Sequence, residues 1–356
     1  MIDIFKKIDW KIMICMIALI GAGSLSLFSS HPDFFNKQIL WIIIGFLFFV
    51  GIITLDLRSF LASKAVIYGM YYLINVLLIF TYFFAPLVKG NRAWLVIGPF
   101  QFQPSELAKI GLVIFLAYYF SKKHIGINRW STLIGSFIYT LIPVILIAIE
   151  PDLGNAMVLV LVWVGFMMVS GLPLKKLALG FVLCLMIGLV MWMSILKNYQ
   201  KERIIGMFNP EKDPLGVNYN VIQSKIAIGS GGIMGKGFGQ GTQVQLGFLP
   251  EAQNDFIFSA IAEEGGLLAI SLIIFLFAWM LIRLVALGNM ADLSIHSFLI
   301  LGAVMLFLIQ FIFNVGSNLG LLPVVGVTLP FISYGGSSIL ANMILIGIVQ
   351  SIMSRK

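Results

Sequence analysis

The chain has 356 residues, of which 60% are hydrophobic and only 11% charged, against about 25% charged in a soluble domain. With a mean hydropathy of +1.02, this excludes a soluble enzyme and indicates an integral membrane protein. The net charge of +8 comes from basic residues scattered along the chain, which excludes a concentrated nucleic-acid-binding patch.

A membrane-spanning helix needs about 20 mostly apolar residues. Ten segments qualify, near 12–29, 39–55, 66–88, 105–121, 131–149, 153–171, 177–196, 256–286, 294–320 and 336–353. The first is full length and lacks an Ala-x-Ala site, so no cleavable signal peptide is expected. The run after Asp255 is too long for one straight span, and Glu263-Glu264-Gly265-Gly266 interrupts it. Its first turns are expected to project from the hydrocarbon or to break there. The expected fold is an all-α polytopic membrane protein of about ten transmembrane helices. Residues 1–356 are read as one membrane domain, with a large, polar, loop-like segment at about 197–255 between spans seven and eight.

With ten spans both termini share a side, and the basic residues say which. Lys6, Lys7, Lys11, Arg58, Lys64, Lys122, Lys123, Arg129, Lys175, Lys176, Arg283, Arg355 and Lys356 fall on the side of the N-terminus. Only Lys37, Lys89 and Arg92 lie in the short loops of the other face. The positive-inside rule then puts both termini in the cytoplasm and the long loop outside. Two outer segments, 89–104 and 321–336, carry glycine and proline yet are mostly apolar. Such backbone either dips into the membrane beside a protein-lined cavity or rests on lipid headgroups.

Few side chains offer chemistry. Cys15 and Cys184 sit in apolar runs, and His31, His124 and His296 lack ligand spacing, so no disulfide or histidine–cysteine metal site is readable. Asp255 closes the long polar stretch just where apolar sequence resumes. A carboxylate at a membrane boundary is costly unless solvated, paired or used. Glu106 and Lys109 stand three apart in the fourth span and share a helix face, either as a structural ion pair or as the lining of a headgroup cavity. Asp152, in Glu150-Pro151-Asp152-Leu153-Gly154-Asn155, is placed to cap the sixth span. The glycine-rich stretch 228–241 resembles a phosphate loop superficially but fails the pattern, with Ser230 and Gly237 at key positions. A structural loop is the simpler reading there. The long loop carries Lys197, Lys201, Arg203, Lys212, Lys225 and Lys236 against Glu202, Glu211, Asp213, Glu251 and Asp255, which makes it no polybasic anchor.

Four blocks together resemble the SEDS family (shape, elongation, division, sporulation). They are Asn218-Tyr-Asn-Val-Ile-Gln-Ser-Lys225 through Gly241-Thr-Gln-Val-Gln-Leu-Gly-Phe-Leu-Pro-Glu251 to Asp255-Phe-Ile-Phe258; Gln103-Pro-Ser-Glu-Leu-Ala-Lys109; Pro151-Asp-Leu-Gly154; and Leu329-Pro-Phe-Ile-Ser-Tyr-Gly-Gly-Ser-Ser338. The resemblance spans nearly the whole chain. It implies a peptidoglycan glycosyltransferase that polymerises lipid II on the outer face of the bacterial cytoplasmic membrane. It implies Asp255 as the catalytic residue and Glu106 and Lys109 as cavity residues, with Arg203, Gln223, Ser224, Lys225 and Lys236 as substrate-side candidates. The implied partners are a class B penicillin-binding protein transpeptidase and rod-complex proteins of the MreC and MreD type, with no nucleic acid. Two positions depart from the family pattern: Gln253 where histidine is common, and Thr328 where proline is usual.

One carboxylate suffices for this chemistry. The acceptor sugar hydroxyl needs its proton removed, whereas a lipid diphosphate leaves as a stabilised anion and needs no second acid of the kind glycosidases use. Lys109, Arg203, Lys225 or a Mg²⁺ or Mn²⁺ ion are candidates to stabilise the departing charge; no organic cofactor is expected. Two other readings stay open at this point, a lipid II flippase and a scaffold for the transpeptidase.

Overall fold

Backbone amides cannot be left unpaired in hydrocarbon, and the chain answers with helices along nearly every apolar run. The computed structural model describes residues 7–88, 91–98, 100–123, 126–194, 201–202, 205–206, 216 and 218–355. Among them lie α1 (Trp10–Ser30), α2 (Pro32–Thr54), a short α3 (Leu57–Ala62), α4 (Lys64–Phe84), α5 (Pro104–Lys123), α6 (Trp130–Ile149), α7 (Leu153–Val169), α8 (Leu174–Ser194), α9 (Tyr219–Gly231), α10 (Thr242–Gln245), α11 (Ile257–Met290), α12 (Ser294–Asn318) and α13 (Gly336–Met353). All of these except α3, α9 and α10 fall on the expected spans. Seven are long and apolar enough to cross a membrane: α1, α2, α4, α6, α11, α12 and α13. The chain is an all-α, multi-pass membrane protein.

Burial sorts the helices. α5, α12 and α13 are covered on most sides, as expected of apolar helices inside a bundle, whereas α2 and α4 turn apolar faces outward. α5 is the hub, packed against α4, α6, α7, α12 and α13. Pro143 inside α6 supplies no N–H to the carbonyl of Tyr139 one turn back. The hydroxyl of Tyr71 on α4 donates to that carbonyl instead, at 2.7 Å.

One face gathers both ends of the chain. Asp9 caps α1 by accepting from the amides of Lys11 and Ile12, and pairs with Arg283 at 2.7 Å. Its own N–H donates to Gln350 Oε1 near the C-terminus, at 3.0 Å. Arg355 donates to the carbonyls of Ile53, Thr54 and Leu55, groups the end of α2 leaves unpaired.

The opposite face carries the unusual backbone. The segment 89–104 does not dip inward: its described part is a surface hairpin, β1 (Leu95–Ile97) antiparallel to β2 (Phe100–Phe102), with Val96 opposite Gln101. The segment 321–336 behaves differently. Without helix or strand, it buries Val327, Leu329, Phe331 and Ile332, and a Cβ on Gly154 of α7 or Gly23 of α1 would run into its carbonyls at Val325 and Ile332. Nor is the region before Asp255 all loop, since α9 and α10 lie within it.

α11 breaks where its glycines stand. Gly266 adopts φ 64°, ψ −164°, a backbone state that glycine alone adopts readily. A break exposes amides and carbonyls that must find partners, and the glycine-rich stretch provides them. Leu267 and Leu268 donate to the carbonyls of Gly232 and Ile233, while Lys236 and Gly237 donate back to those of Glu263 and Glu264. Glycine is needed for so close an approach, because a Cβ at Gly231 or Gly235 would strike the carbonyl of Ala262 or Glu264.

Gly266→Ala is therefore expected to lower the thermal unfolding midpoint in detergent, through left-handed strain of about 1–2 kcal/mol plus a clash with Gly235 N. Gly229→Ala, in α9 with open space around it, is expected to leave the midpoint unchanged or raise it.

Candidate functional site

Asp255 ends the tight turn that leads into α11, and the turn is fixed from three sides. Glu251 sits at φ 54°, and its carbonyl accepts from the amides of Asn254 (3.0 Å) and Phe256 (3.3 Å). Below it, Val244, Leu249, Ala252 and Phe256 bury a small apolar cluster with Ala227 and Ala260. The carbonyls of residues 253, 254 and 255 are taken by two other elements. Tyr334 N donates to Gln253 O at 2.9 Å and Ser333 Oγ to Asn254 O at 2.8 Å. Asn314 and Asn318 of α12 both donate to Asp255 O, at 3.1 and 2.7 Å.

With its backbone held, the half-buried Asp255 side chain projects toward the apolar segment. Its Oδ2 lies 4.0 Å from the place a Cβ would take on Gly326, which has φ 74°. Phe331, at φ 67°, packs its ring 5.2 Å from that of Phe307. Left-handed conformations at non-glycine residues persist only where surroundings impose them; Glu251 and Phe331 lie in the two segments that meet at Asp255.

A second polar group lies between α5 and α7. Lys109 Nζ donates to Glu106 Oε1 at 2.8 Å and to Asn155 Oδ1 at 3.0 Å. With Glu106 3% and Lys109 2% exposed, the pair is closed within the bundle. Removing one partner of such a buried pair costs about 3–5 kcal/mol. Asp152 caps α7 through the amide of Asn155, as the sequence indicates. It also accepts from Gln103 Nε2 (2.8 Å), Ser105 Oγ (3.3 Å) and Asn155 Nδ2 (2.8 Å). Beside it Glu150 is fully buried, and neither carboxyl oxygen has a hydrogen-bond partner among the described residues. Burial, with a smaller contribution from Asp152, pushes its carboxyl up to about 8.

The remaining candidates separate. Lys225 is exposed on α9, its stem lying across Gly320, and Gln223 on the same helix is half-buried. Ser224 is engaged by the protein itself: its hydroxyl donates to Asn318 O at 2.7 Å and lies 2.6 Å from Ser259 Oγ, at the junction of α9, α11 and α12. Lys236 is likewise engaged, donating to Glu263 Oε1 at 2.6 Å and Thr242 Oγ1 at 2.8 Å. Glu263 also accepts from the amides of Gln243 and Val244 at the start of α10. In this conformation both side chains are thus engaged within the protein. Arg203 lies outside the described residues. Asn155, Asn314 and Asn318 escaped sequence reasoning, although polar side chains within apolar spans, two of them four residues apart, were the available signal. His31 also faces this region. Burial lowers its imidazole pKa, and the nearby Glu251 carboxylate works in the other direction.

The chain's relatives share this architecture. A family model described as cell cycle protein, covering FtsW, RodA and SpoVE, matches residues 6–356. The chain is 37% identical over 288 residues to peptidoglycan glycosyltransferase MrdB of Escherichia coli K12, covering 81% of this chain and 77% of that protein. It is 28% identical to peptidoglycan glycosyltransferase RodA of Treponema pallidum, covering 98% of each. Among solved structures, a chain from work on coordinated polymerization and crosslinking by a peptidoglycan synthase complex superposes with TM-score 0.82 at 31% identity, over 97% of both chains. The rod shape determining protein RodA of Thermus thermophilus gives TM-score 0.71 at 28% identity, over 97% of this chain and 96% of that one.

Glu150 gives a pH test. In the unfolded chain its carboxyl ionises near 4.5, and in the fold only near 8. Between these values the unfolded state has released a proton the folded state keeps, so stability falls as pH rises. Glu150→Gln is expected to have a higher thermal midpoint than the parent at pH 8–9, with the gap closing toward pH 4–5. A gap independent of pH would refute this.

Proposed function

Because the chain belongs to the FtsW/RodA/SpoVE family, whose curated relatives bear the name peptidoglycan glycosyltransferase, we propose that it polymerises lipid II into β-1,4-linked glycan at the outer face of the bacterial cytoplasmic membrane during cell elongation. The chain is a peptidoglycan glycosyltransferase. The observation that carries the mechanism is the Asp255 turn, which two elements, α12 and the segment 321–336, hold through three successive carbonyls, with the carboxylate half-buried beside Gly326. The face bearing this turn lies opposite the one that gathers Asp9, Arg283 and Arg355. By the positive-inside rule the Asp255 face is the extracytoplasmic one.

The reaction needs one base and a place for one anion. The Asp255 carboxylate accepts the proton of the acceptor sugar hydroxyl as its oxygen attacks the anomeric carbon of the donor. The new C–O bond forms as the bond to the undecaprenyl diphosphate breaks, and the diphosphate leaves with the electron pair. A single displacement inverts the α-linked donor to a β linkage. Holding the backbone of residues 253–255 in advance lets the base meet its substrate without reorganisation. Lys225, exposed on α9, meets the charge of the departing diphosphate, with Gln223 half-buried two residues away. Lys109, closed on Glu106 and Asn155 in this conformation, serves the site from beneath. Among the described residues no group of three His, Cys, Asp or Glu side chains is placed to hold a metal ion. A Mg²⁺ or Mn²⁺ ion, if bound, would supply positive charge against the departing diphosphate.

The partners we assign are a class B penicillin-binding protein, which crosslinks the strands made here, and rod-complex proteins of the MreC and MreD type. The likeness to a chain of a peptidoglycan synthase complex supports the first.

Purified protein with its transpeptidase partner is expected to convert lipid II to glycan strands in detergent, where no membrane is to be crossed. Asp255→Asn is expected to lower the rate at least a hundredfold while keeping the thermal midpoint and the partner. Undiminished polymerisation by that variant would exclude Asp255 as the base, and no strands from the parent protein would favour a lipid carrier.

A further inference from the structure

α12 carries one more polar side chain on the stripe that holds Asp255, and it sits deep in the bundle. Gln310 lies one turn below Asn314 and two below Asn318. It is 0% exposed, and neither Oε1 nor Nε2 has a hydrogen-bond partner among the described residues. Such groups are rare in folded proteins, because an unpaired buried amide is costly. The cost alone calls for a function.

The register between α5 and α12 sets the level at which Gln310 lies. The helices run antiparallel: the rings of Phe120 and Phe298 lie 6.4 Å apart at one end, and a Cβ on Gly302 would lie 3.0 Å from Val113. Two helical turns further toward the Asp255 face, α5 reaches Glu106 and α12 reaches Gln310. α7 agrees. Phe166 lies 6.5 Å from Phe298 and Gly165 packs on Met305, so Asn155 comes level with the stretch from Gln310 to Asn314. Glu106, Lys109, Asn155 and Gln310 thus share one layer among α5, α7 and α12. Glu106 Oε2, in that layer, is also buried and has no hydrogen-bond partner among the described residues, while Lys109 occupies Oε1.

We propose that Gln310 and Glu106 form a buried hydration site, in which one water bridges Gln310 to Glu106 Oε2. A buried water needs two to four polar partners, and this pair offers the carboxylate oxygen and both ends of an amide. Gln310 is then a positioning residue. It couples the Glu106–Lys109–Asn155 group to the α12 stripe whose next members, Asn314 and Asn318, grip Asp255 O. The inference rests on the polymerase reading above, and it adds a contact that neither helix reveals alone.

A double-mutant cycle tests it on the full chain with its partner. Gln310→Leu removes the polar groups at nearly constant volume. If the amide is only an unsatisfied burden, this variant keeps its polymerisation rate and gains stability, and the inference is overturned. If it positions Glu106 through water, the rate falls about tenfold or more and the thermal midpoint does not rise. In a Glu106→Gln background, still measurably active, the same Leu substitution then costs less than threefold. Penalties that multiply independently across the two sites also overturn the coupling. Should Gln310→Leu fail to fold, Gln310→Met enters the same cycle and is read by the same outcomes. A parent protein that makes no glycan at all refutes the polymerase reading instead.

Discussion

A carboxylate at a membrane boundary is useful only if something holds it, and here the grip is on the backbone rather than on the acid. Asn314 and Asn318 both donate to the carbonyl of Asp255, and Ser333 and Tyr334 take the two carbonyls before it. Neutral hydrogen bonds contribute only about 1 kcal/mol each, so the set matters less for global stability than for direction. It fixes the backbone from which the carboxylate projects. The asparagines can do this because α12 is buried along its length, where the alternative to pairing is an unsatisfied amide.

The glycine-rich stretch makes sense in the same terms. Read alone, 228–241 resembles a phosphate loop only superficially, and a structural loop is the simpler reading. In the fold its glycines accept and donate across the break in α11, and Lys236 closes on Glu263. A broken helix in a membrane protein is tolerated where another segment satisfies its freed groups. Here that segment also carries α9 and α10, which set the floor under the Asp255 turn through Ala227 and Val244. The break in α11 and the seat of Asp255 are one construction.

Much of this was legible before any coordinates. The all-α, multi-pass class, the break near Gly266, the cap at Asp152 and the pairing of Glu106 with Lys109 follow from hydropathy, glycine placement and helical spacing, because each is a local consequence of sequence. What could not be read was long-range. Composition left the same two readings open for 89–104 and 321–336, yet residues 95–102 pair as a hairpin while Val327, Leu329, Phe331 and Ile332 are buried within the protein. Ser224 and Lys236 sit in motif positions that suggested substrate contact, yet Asn318 and Glu263, far along the chain, claim them. Asn314 and Asn318 went unnoticed because their partner is a backbone carbonyl, which no side-chain motif announces.

The central claim is that the two asparagines of α12 aim Asp255, and the most direct measurement is lipid II polymerisation by the Asn314→Leu/Asn318→Leu double variant with its partner bound. The account predicts a folded membrane protein whose Asp255 is intact but whose rate drops toward that of a protein lacking the carboxylate. A double variant that polymerises at the parent rate would contradict it, and would mean that the acid finds its place without that grip.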